Sequence, residues 1–329
     1  QMNKINIIIC ALNEEFGVER SISSVIKSLK NAGLTQQSNV YLIDNSSEDN
    51  TYNIAKNLSE KHNELIVKRI PRASLSVSRN MYKETLPSEY IAYIDADGCV
   101  PVNWAKKLFD IISSKKPTII AGTVLDYDVE NNLTWRVFYN HKVMGPYLMG
   151  ANMAFKRSAL ESVGGFPVLF YSRGDESGLY SAMRHKDDTI SFVFDDELVA
   201  YNEFNPSLKD YVGDLYRDSR RHFIIDKLFA SKKMQVRKVT YRNLFFAPLV
   251  LTLFNPLFFL LFLFSLLIIG LARDSNLIFK QLSQISKFDL RHPFKNITYG
   301  LVVILREPIA STGYLHEYYL QFLKRTSRL

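Results

Sequence analysis

The sequence predicts an α/β fold, with a mostly parallel central sheet flanked by helices and a hydrophobic helical region at the carboxyl end. Three observations carry that expectation. Short apolar runs alternate with amphipathic helical patterns over the first hundred residues, which is the mark of βαβ units. Two polar clusters, at 44–49 and 95–97, directly follow apolar runs, at the strand ends where parallel sheets bind ligands. The charge is divided unevenly: residues 227–329 hold 15 Lys/Arg and 4 Asp/Glu, and the rest holds 26 and 29.

The elements follow in order. Ile5-Asn6-Ile7-Ile8-Ile9-Cys10 reads as a buried parallel strand. Val18, Ile22, Val25, Ile26 and Leu29 have helical spacing, and the pattern closes near Asn31-Ala32-Gly33. Val40-Tyr41-Leu42-Ile43 is a second strand, followed by a helix over about Thr51 to Lys61. Leu65-Ile66-Val67 is a third strand, 74–86 a helix, and Tyr90 to Ile94 a central strand ending in Asp95-Ala96-Asp97. Residues 118–210 mix strand and loop signals, with an aromatic-rich stretch from Trp135 to Tyr147 and a turn at Gly164-Gly165-Phe166-Pro167. Ile190 to Val199 reads as a strand and Tyr211–Leu228 as a helix.

Composition narrows the class. At 329 residues the chain is long enough for two domains, placed at 1–226 and 227–329. It is neither collagen-like, nor disordered, nor a disulfide-stapled module, and its two cysteines, Cys10 and Cys99, favour a reducing compartment. The amino end shows no basic stretch followed by an apolar run. The net charge of +8 is concentrated in the third of the chain that also holds Leu244–Ala272, 29 residues without a charge. That stretch is long enough to span a bilayer core. Pro248, Pro256 and basic flanks on both sides equally fit a re-entrant or interfacial anchor. The expected partner of the basic third is therefore an anionic membrane surface, with no nucleic acid.

Asp95-Ala96-Asp97 sets two carboxylates where a strand opens into a loop, an arrangement that can grip a hard divalent cation and through it a diphosphate. Asp44, at the end of another parallel strand, can accept hydrogen bonds from a base or ribose, while Ser47 or Asp49 caps the next helix. Arg79 can pair with Asp95 or reach a phosphate. In Asp175-Glu176 one of the two neighbouring acids is expected to face a site and serve as general base; the alternative is a solvated helix start.

Asn13-Glu14-Glu15, Asp44 to Thr51, Ser78-Arg79-Asn80, Asp95-Ala-Asp97, Gly150-Ala-Asn-Met-Ala-Phe155, Gly164-Gly-Phe-Pro167 and Asp175-Glu176 occur in one ordered series. Over about residues 4–225 this series resembles the family 2 inverting glycosyltransferases of GT-A fold, specifically the membrane-associated bacterial type. The resemblance implies that Asp44 and the Asn13–Glu14 loop line the nucleotide pocket and that Arg79 lies near base and phosphates. It implies Asp95 near ribose and metal, Asp97 as ligand of Mg²⁺ or Mn²⁺, and Gly150 to Asn152 beside the sugar. Glu176 is then the first choice for catalytic base and Asp175 the second.

Four positions depart from the family pattern. Leu12 stands where an aromatic residue is usual, the acid pair reads Asp-Glu instead of Glu-Asp, and Asn202 replaces a frequent His. The Gln-x-x-Arg-Trp signature of processive synthases is absent, and Tyr216-Arg217-Asp218-Ser219-Arg220-Arg221 occupies its neighbourhood. Those arginines could steady a diphosphate or form the solvated face of a helix.

The implied activity is metal-dependent, inverting, non-processive transfer of a sugar to a lipid-linked or glycan acceptor, in envelope polysaccharide or glycolipid synthesis at the cytoplasmic face of the membrane. The donor is a nucleotide-sugar, with UDP favoured and GDP or dTDP also compatible. The alternatives are a nucleotidyltransferase acting on a sugar phosphate and a non-catalytic membrane scaffold of the same fold.

Overall fold

A computed structural model describes residues 3–126, 148–168, 174–202, 208–251 and 309–321. The described residues up to Asn202 form one compact unit and those from Leu208 onward another. The aromatic stretch 135–147 and all of 244–272 beyond Leu251 lie outside the described residues. Among the described residues no helix is long and apolar enough to cross a membrane.

The first unit is a seven-stranded sheet of order β3-β2-β1-β4-β6-β5-β7. Its strands are β1 (Asn3–Ala11), β2 (Ser38–Asp44), β3 (Leu65–Arg69), β4 (Ser88–Asp95), β5 (Ile119–Asp126), β6 (Asn152–Lys156) and β7 (Phe192–Asn202). The β1–β2, β1–β4, β2–β3 and β5–β7 pairs are parallel, and β6 runs antiparallel to both β4 and β5. The sheet is thus mostly parallel, as the alternating apolar runs require.

Helices cover both faces, which explains why β1 is apolar without alternation. Ile7 and Ile9 pack into one core layer with Val40, Leu42, Ala92 and Ile94. Ile8 packs into the opposite layer with Tyr41, Ile43, Ile91 and Tyr93. Helix α1 (Val18–Asn31) buries Val18, Ile22, Val25, Ile26 and Leu29 in the first layer, matching the sequence expectation residue for residue. Fully burying each such side chain is worth about 1.5–3 kcal/mol. Helix α2 covers Thr51–Ser59.

The helix expected over 74–86 is shorter. It runs as α3 (Leu75–Asn80), continues as a 3₁₀ turn over Met81–Glu84 and stops before Leu86-Pro87, where proline disfavours helical backbone in the residue ahead of it. The described residues of this unit hold three further helices: α4 (Trp104–Lys115), α5 (Arg157–Ser162) and α6 (Asp175–Lys186).

The mixed signals of 118–210 have a physical source. The β5–β7 register shifts between Gly122 and Thr123, so β7 bulges. The side chain of Asn152 fills that irregularity. Its Nδ2 donates to the carbonyls of Thr123 (3.0 Å) and Leu198 (2.7 Å), and its Oδ1 accepts from Trp104 Nε1 (3.0 Å). A Cβ at Gly122 would lie 2.2 Å from Leu198 O and 2.3 Å from Asn152 Nδ2, so only glycine fits. A buried polar side chain and a glycine inside a strand obscure the apolar pattern that strand prediction relies on.

The second unit contains α7 (Leu208–Phe229), α8 (Lys232–Leu251) and a third helical run, α9, over residues 309–321. Polar pairs tie them together. Lys238 Nζ donates to both oxygens of Asp226 (2.7 and 2.8 Å), Tyr314 Oη to Asp226 Oδ2 (2.9 Å) and Arg220 Nη2 to Glu317 Oε2 (2.7 Å). Arg242 stacks over the Tyr314 ring at 4.4 Å. Part of the basic excess is thus engaged within the unit, and Arg220 is held by a carboxylate.

Replacing Asn152 with alanine leaves the Trp104 indole N–H and two carbonyls without their buried partners. Asn152→Ala is expected to cost about 2–3 kcal/mol. Thermal unfolding should show it as a fall in midpoint of roughly 5–10 °C for a unit of this size; an unchanged midpoint would remove Asn152 from the scaffold.

Candidate active site

The carboxyl ends of β1, β2 and β4 bring three loops together, and the sequence fastens each to the next. Asn13, with φ +56°, begins the β1–α1 turn. Its backbone N–H donates to Ser47 Oγ (3.0 Å), and its Oδ1 accepts from Glu48 N (2.9 Å). Glu14 N donates to Thr51 Oγ1 (2.7 Å) and Glu15 N to Asp49 Oδ2 (3.0 Å). Asp49 Oδ1 accepts from Thr51 N (3.0 Å), so Asp49 does the capping and Ser47 instead holds the neighbouring loop. Asp44 is fully buried; its carboxylate accepts from Ser47 N and pairs with Arg69 Nε at 3.2 Å.

The Asp95–Val102 loop is anchored by the polar side of α1. Arg20 Nη2 donates to Asp97 O (2.8 Å) and Ser21 Oγ to Asp95 O (2.9 Å). Ser24 Oγ accepts from Val100 N, and Ser28 Oγ accepts from Ala105 N while donating to Val102 O. Gly17 lies against this turn so closely that a Cβ would sit 2.9 Å from Asp97 Cα. On the other side, Cys99 and Tyr201 exchange two backbone hydrogen bonds of 2.8 Å, which brings the end of β7 alongside.

That contact delivers Asn202. It is buried, and its Nδ2 donates to Asp95 Oδ2 and to Asp97 Oδ1, both at 3.3 Å. Its Oδ1 is buried without a hydrogen-bond partner. Burial first, and then the charges of Asp95 and Glu14, push the Asp97 carboxyl up to about 7. Among the described residues no group of three Cys, His, Asp or Glu forms a metal cage. Two carboxylates, an unsatisfied amide oxygen and crowded negative charge nevertheless fit Mg²⁺ or Mn²⁺, whose remaining positions are commonly filled by water and phosphate oxygens.

Arg79 is the second centre. Its guanidinium is buried, with Nη1 2.7 Å from Asp175 Oδ1 and 3.5 Å from Glu176 Oε2, and Nη2 3.8 Å from Asp95 Oδ1. Burial opposes its charge, but the three carboxylates outweigh burial and hold it protonated. The sequence offered pairing with Asp95 or phosphate contact; the shortest bond goes to Asp175 instead.

Both members of the acid pair face this cation, although only one was expected to face a site. They open α6, where Gly174 at φ +80° turns the chain and the first helical turn sets adjacent side chains around the N-terminus. Burial raises the Asp175 pKa, yet the Arg79 charge and hydrogen bonding from Glu176 hold it below the ordinary carboxylate value. Glu176 behaves oppositely: burial, then the Asp175 charge, push it up to about 8 against the pull of Arg79. One proton is thus shared unequally, with Asp175 ionised and Glu176 its carrier. Glu176 is also the reachable member, with 21% of its side chain exposed against 1% for Asp175.

The groups that seat Arg79 come from distant parts of the chain. Phe166 lies under the guanidinium at 5.6 Å and packs edge-on against Tyr93 and Phe155. Asn80 clamps the turn carrying Phe166, donating to Phe166 O and accepting from Phe166 N, both at 2.8 Å. A Cβ at Gly150 would fall 2.0 Å from Arg79 Nη2, so Gly150 makes room for the cation. Asn152, expected beside a sugar, spends its amide on the sheet, and Gly150 is the member of that stretch that meets the site. The alternating Gly-Gly-Phe-Pro and Ser-Arg-Asn motifs were visible as motifs; their pairing with each other was not.

Comparisons with known proteins give the family and the fold. The model of the family described as "Glycosyl transferase family 2" matches residues 6–187. No curated protein matches the sequence. Among solved structures, the mannosyltransferase PcManGT from Pyrobaculum calidifontis, in complex with GDP-Man and Mn²⁺, superposes with a TM-score of 0.61 at 16% identity, covering 96% of this chain and 88% of that one. S. aureus TarS 1–349 in complex with UDP-GlcNAc gives 0.52 at 12% identity, covering 96% and 89%. At such identities the structural likeness is one of fold.

Removing the Arg79 charge leaves buried carboxylates without their cation. Arg79→Met is expected to destabilise the protein by about 3–5 kcal/mol at pH 7.5. The deficit should shrink as pH falls towards 4. Asp175, held below the ordinary carboxylate value, stays ionised beside Arg79 in the native protein at that pH, whereas the variant's buried carboxyls are neutral there at little cost because the unfolded chain also protonates near pH 4. Denaturant unfolding at the two pH values checks this; an equal deficit at both would refute the charge account.

Proposed function

The chain belongs to glycosyl transferase family 2, and on that premise we propose that it transfers a sugar from a nucleoside diphosphate sugar to an acceptor hydroxyl with inversion, one sugar per encounter. The single observation that carries the mechanism is the Arg79-centred triad of Asp175, Glu176 and Asp95, which joins an acid pair suited to proton transfer to the carboxylates suited to a diphosphate. Both solved neighbours hold nucleoside diphosphate sugars, GDP-Man in one and UDP-GlcNAc in the other, which supports that donor class.

In this reading Asp95 and Asp97, with the Asn202 amide, would hold Mg²⁺ or Mn²⁺, which would supply neutralisation of the departing diphosphate. The Asn13–Glu14 turn and the Asp44–Thr51 loop form the wall for base and ribose. Asp44 contributes by fixing that loop, since its carboxylate is fully enclosed. Gly150 leaves the space in which Arg79 faces the donor.

Glu176 is the general base. Its position at the mouth of the acid pair lets an acceptor hydroxyl approach, and its raised pKa makes the ionised form a strong proton acceptor near neutral pH. Asp175 stays ionised against Arg79 and receives the shared hydrogen bond when Glu176 takes the proton. Attack from the Glu176 side with the diphosphate leaving opposite inverts the anomeric centre, so positioning and charge stabilisation carry the rate.

The acceptor is lipid-linked or a glycan, and the enzyme works against an anionic membrane surface on the cytoplasmic side, in envelope polysaccharide or glycolipid synthesis. The basic excess of residues 227–329 and the uncharged Leu244–Ala272 support that placement. Family membership favours sugar transfer over nucleotidyl transfer, and release of UDP or GDP instead of pyrophosphate separates the two.

Three outcomes test the assignments. Glu176→Gln should lower kcat by about 10²–10⁴ with donor affinity little changed; wild-type turnover would sink Glu176 as base. In the native enzyme kcat/KM should rise with pH and level off above about 8, because the base must lose its proton and the shared pair releases it late. A profile already flat from pH 6 upward would exclude that role. Asp97→Ala should abolish the Mn²⁺-dependent thermal stabilisation by a nucleotide-sugar while leaving the unliganded midpoint near wild type.

A further inference from the structure

The second unit holds a cavity of about 450 Å³ lined by α7, α8 and α9. Its walls are mainly apolar, with Phe223 from α7, Val236 and Val239 from α8 and Tyr318 from α9, beside the polar Gln235, Thr240 and Gln321; Phe223 and Tyr318 pack edge-on at 5.8 Å. Two cations stand on its border, Lys227 at the end of α7 and Lys232 at the start of α8. Lys227 Nζ contacts the neutral amide of Gln321, and among the described residues no carboxylate pairs with either lysine. This contrasts with Lys238, which Asp226 binds with two hydrogen bonds.

The surroundings select the ligand. Leu228, Met234 and Val236 are exposed large apolar side chains beside the two lysines, and Lys233 and Arg237 are exposed with them. A few residues after Thr240, the last lining residue of α8, begins the uncharged stretch Leu244–Ala272. An acidic peptide would satisfy the lysines and leave the apolar walls and rim wet. An amphiphile with an anionic head and a hydrocarbon tail satisfies both.

We propose that this cavity binds one anionic phospholipid, with its phosphate between Lys227 and Lys232 and its first acyl methylenes along Phe223, Val236, Val239 and Tyr318. A lysine ammonium suits a phosphate as a point charge, and the volume falls within the range of small-ligand sites. The inference sharpens the membrane part of the proposed function, and it does not depend on the transfer chemistry. General attraction of a basic surface to anionic lipid is diffuse and additive over many lysines. A seat for a single lipid depends on two particular lysines and on the emptiness of one cavity.

The test uses the full chain with soluble dihexanoyl phosphatidylglycerol, followed by calorimetry. Dihexanoyl phosphatidylcholine and inorganic phosphate serve as comparators. Lys227→Gln/Lys232→Gln and the cavity-filling Val239→Trp should each weaken phosphatidylglycerol binding at least tenfold. The variant Lys106→Gln/Lys115→Gln, at exposed lysines of the first unit, should bind as the native protein does. Equal affinity for phosphatidylcholine or for inorganic phosphate would overturn the lipid assignment, and native binding by Lys227→Gln/Lys232→Gln would overturn the site. Circular dichroism checks each fold; if Val239→Trp does not fold, the double lysine variant alone decides. Sedimentation with phosphatidylglycerol vesicles separates the two readings. Vesicle binding equal in native and double-variant protein overturns the cavity and keeps the membrane association; no vesicle binding by the native protein overturns both.

Discussion

A buried guanidinium faced by three carboxylates governs the architecture of the first unit. Arg79 is buried, so its charge is tolerable only while Asp175, Glu176 and Asp95 surround it. Those acids come from two places in the chain: the end of β4 for one and the start of α6 for the other two. The need to bring them to one cation fixes how α6 meets the sheet. It also explains why Gly150 must lack a side chain and why Phe166 must lie beneath the guanidinium. The aromatic ring supplies a surface that favours the cation without competing for its donors.

The rest of the site is held by hydrogen bonds that cross between elements. Serines at 21, 24 and 28 follow the helical repeat of α1 on the side that meets the Asp95–Val102 loop, while Val18, Ile22, Val25 and Ile26 follow it on the core side. One helix therefore does two jobs. Its apolar stripe stabilises the sheet, and its hydroxyl stripe satisfies backbone groups that a strand-to-loop turn leaves open. A loop carrying two carboxylates at close range needs such fixing, since their mutual repulsion would otherwise spread it.

The sequence made the scaffold legible where one physical demand dominated. β1 and α1 were readable because burial alone decides Ile5 to Ile9 and the Val18–Leu29 spacing. Asp44 and Asp95 stood out as candidates because they close strands of a parallel sheet, where ligands bind. What sequence spacing could not supply was partnership across long separations. Nothing in the neighbourhood of Arg79 points to Asp175, 96 residues away, and nothing near Asn80 points to Phe166. Asn202 was visible as a departure from the resembled pattern, but its bridging of Asp95 and Asp97 depends on the bulge in β7 and the Cys99–Tyr201 contact. Asn152 was misplaced for the same reason: its neighbours in sequence border the site, whereas its side chain turns into the sheet.

Asp95 belongs to both halves of the site, and this makes them electrostatically one object. It lies 3.8 Å from Arg79 and shares the Asn202 amide with Asp97, whose pKa its charge helps to raise. Negative charge at Asp95 therefore opposes ionisation of Asp97 on one side and engages the cation that offsets the acid pair on the other. Positive charge gained at the Asp95–Asp97 edge acts in the opposite sense on every carboxylate within reach, because in a poorly solvated site Coulomb terms fall off slowly. It lowers the cost of ionising Asp97. It also frees more of the Arg79 field for Asp175 and Glu176, which shifts the shared proton towards departure. The Asp95–Asp97 edge and the Asp175–Glu176 pair are thus electrostatically coupled through one arginine.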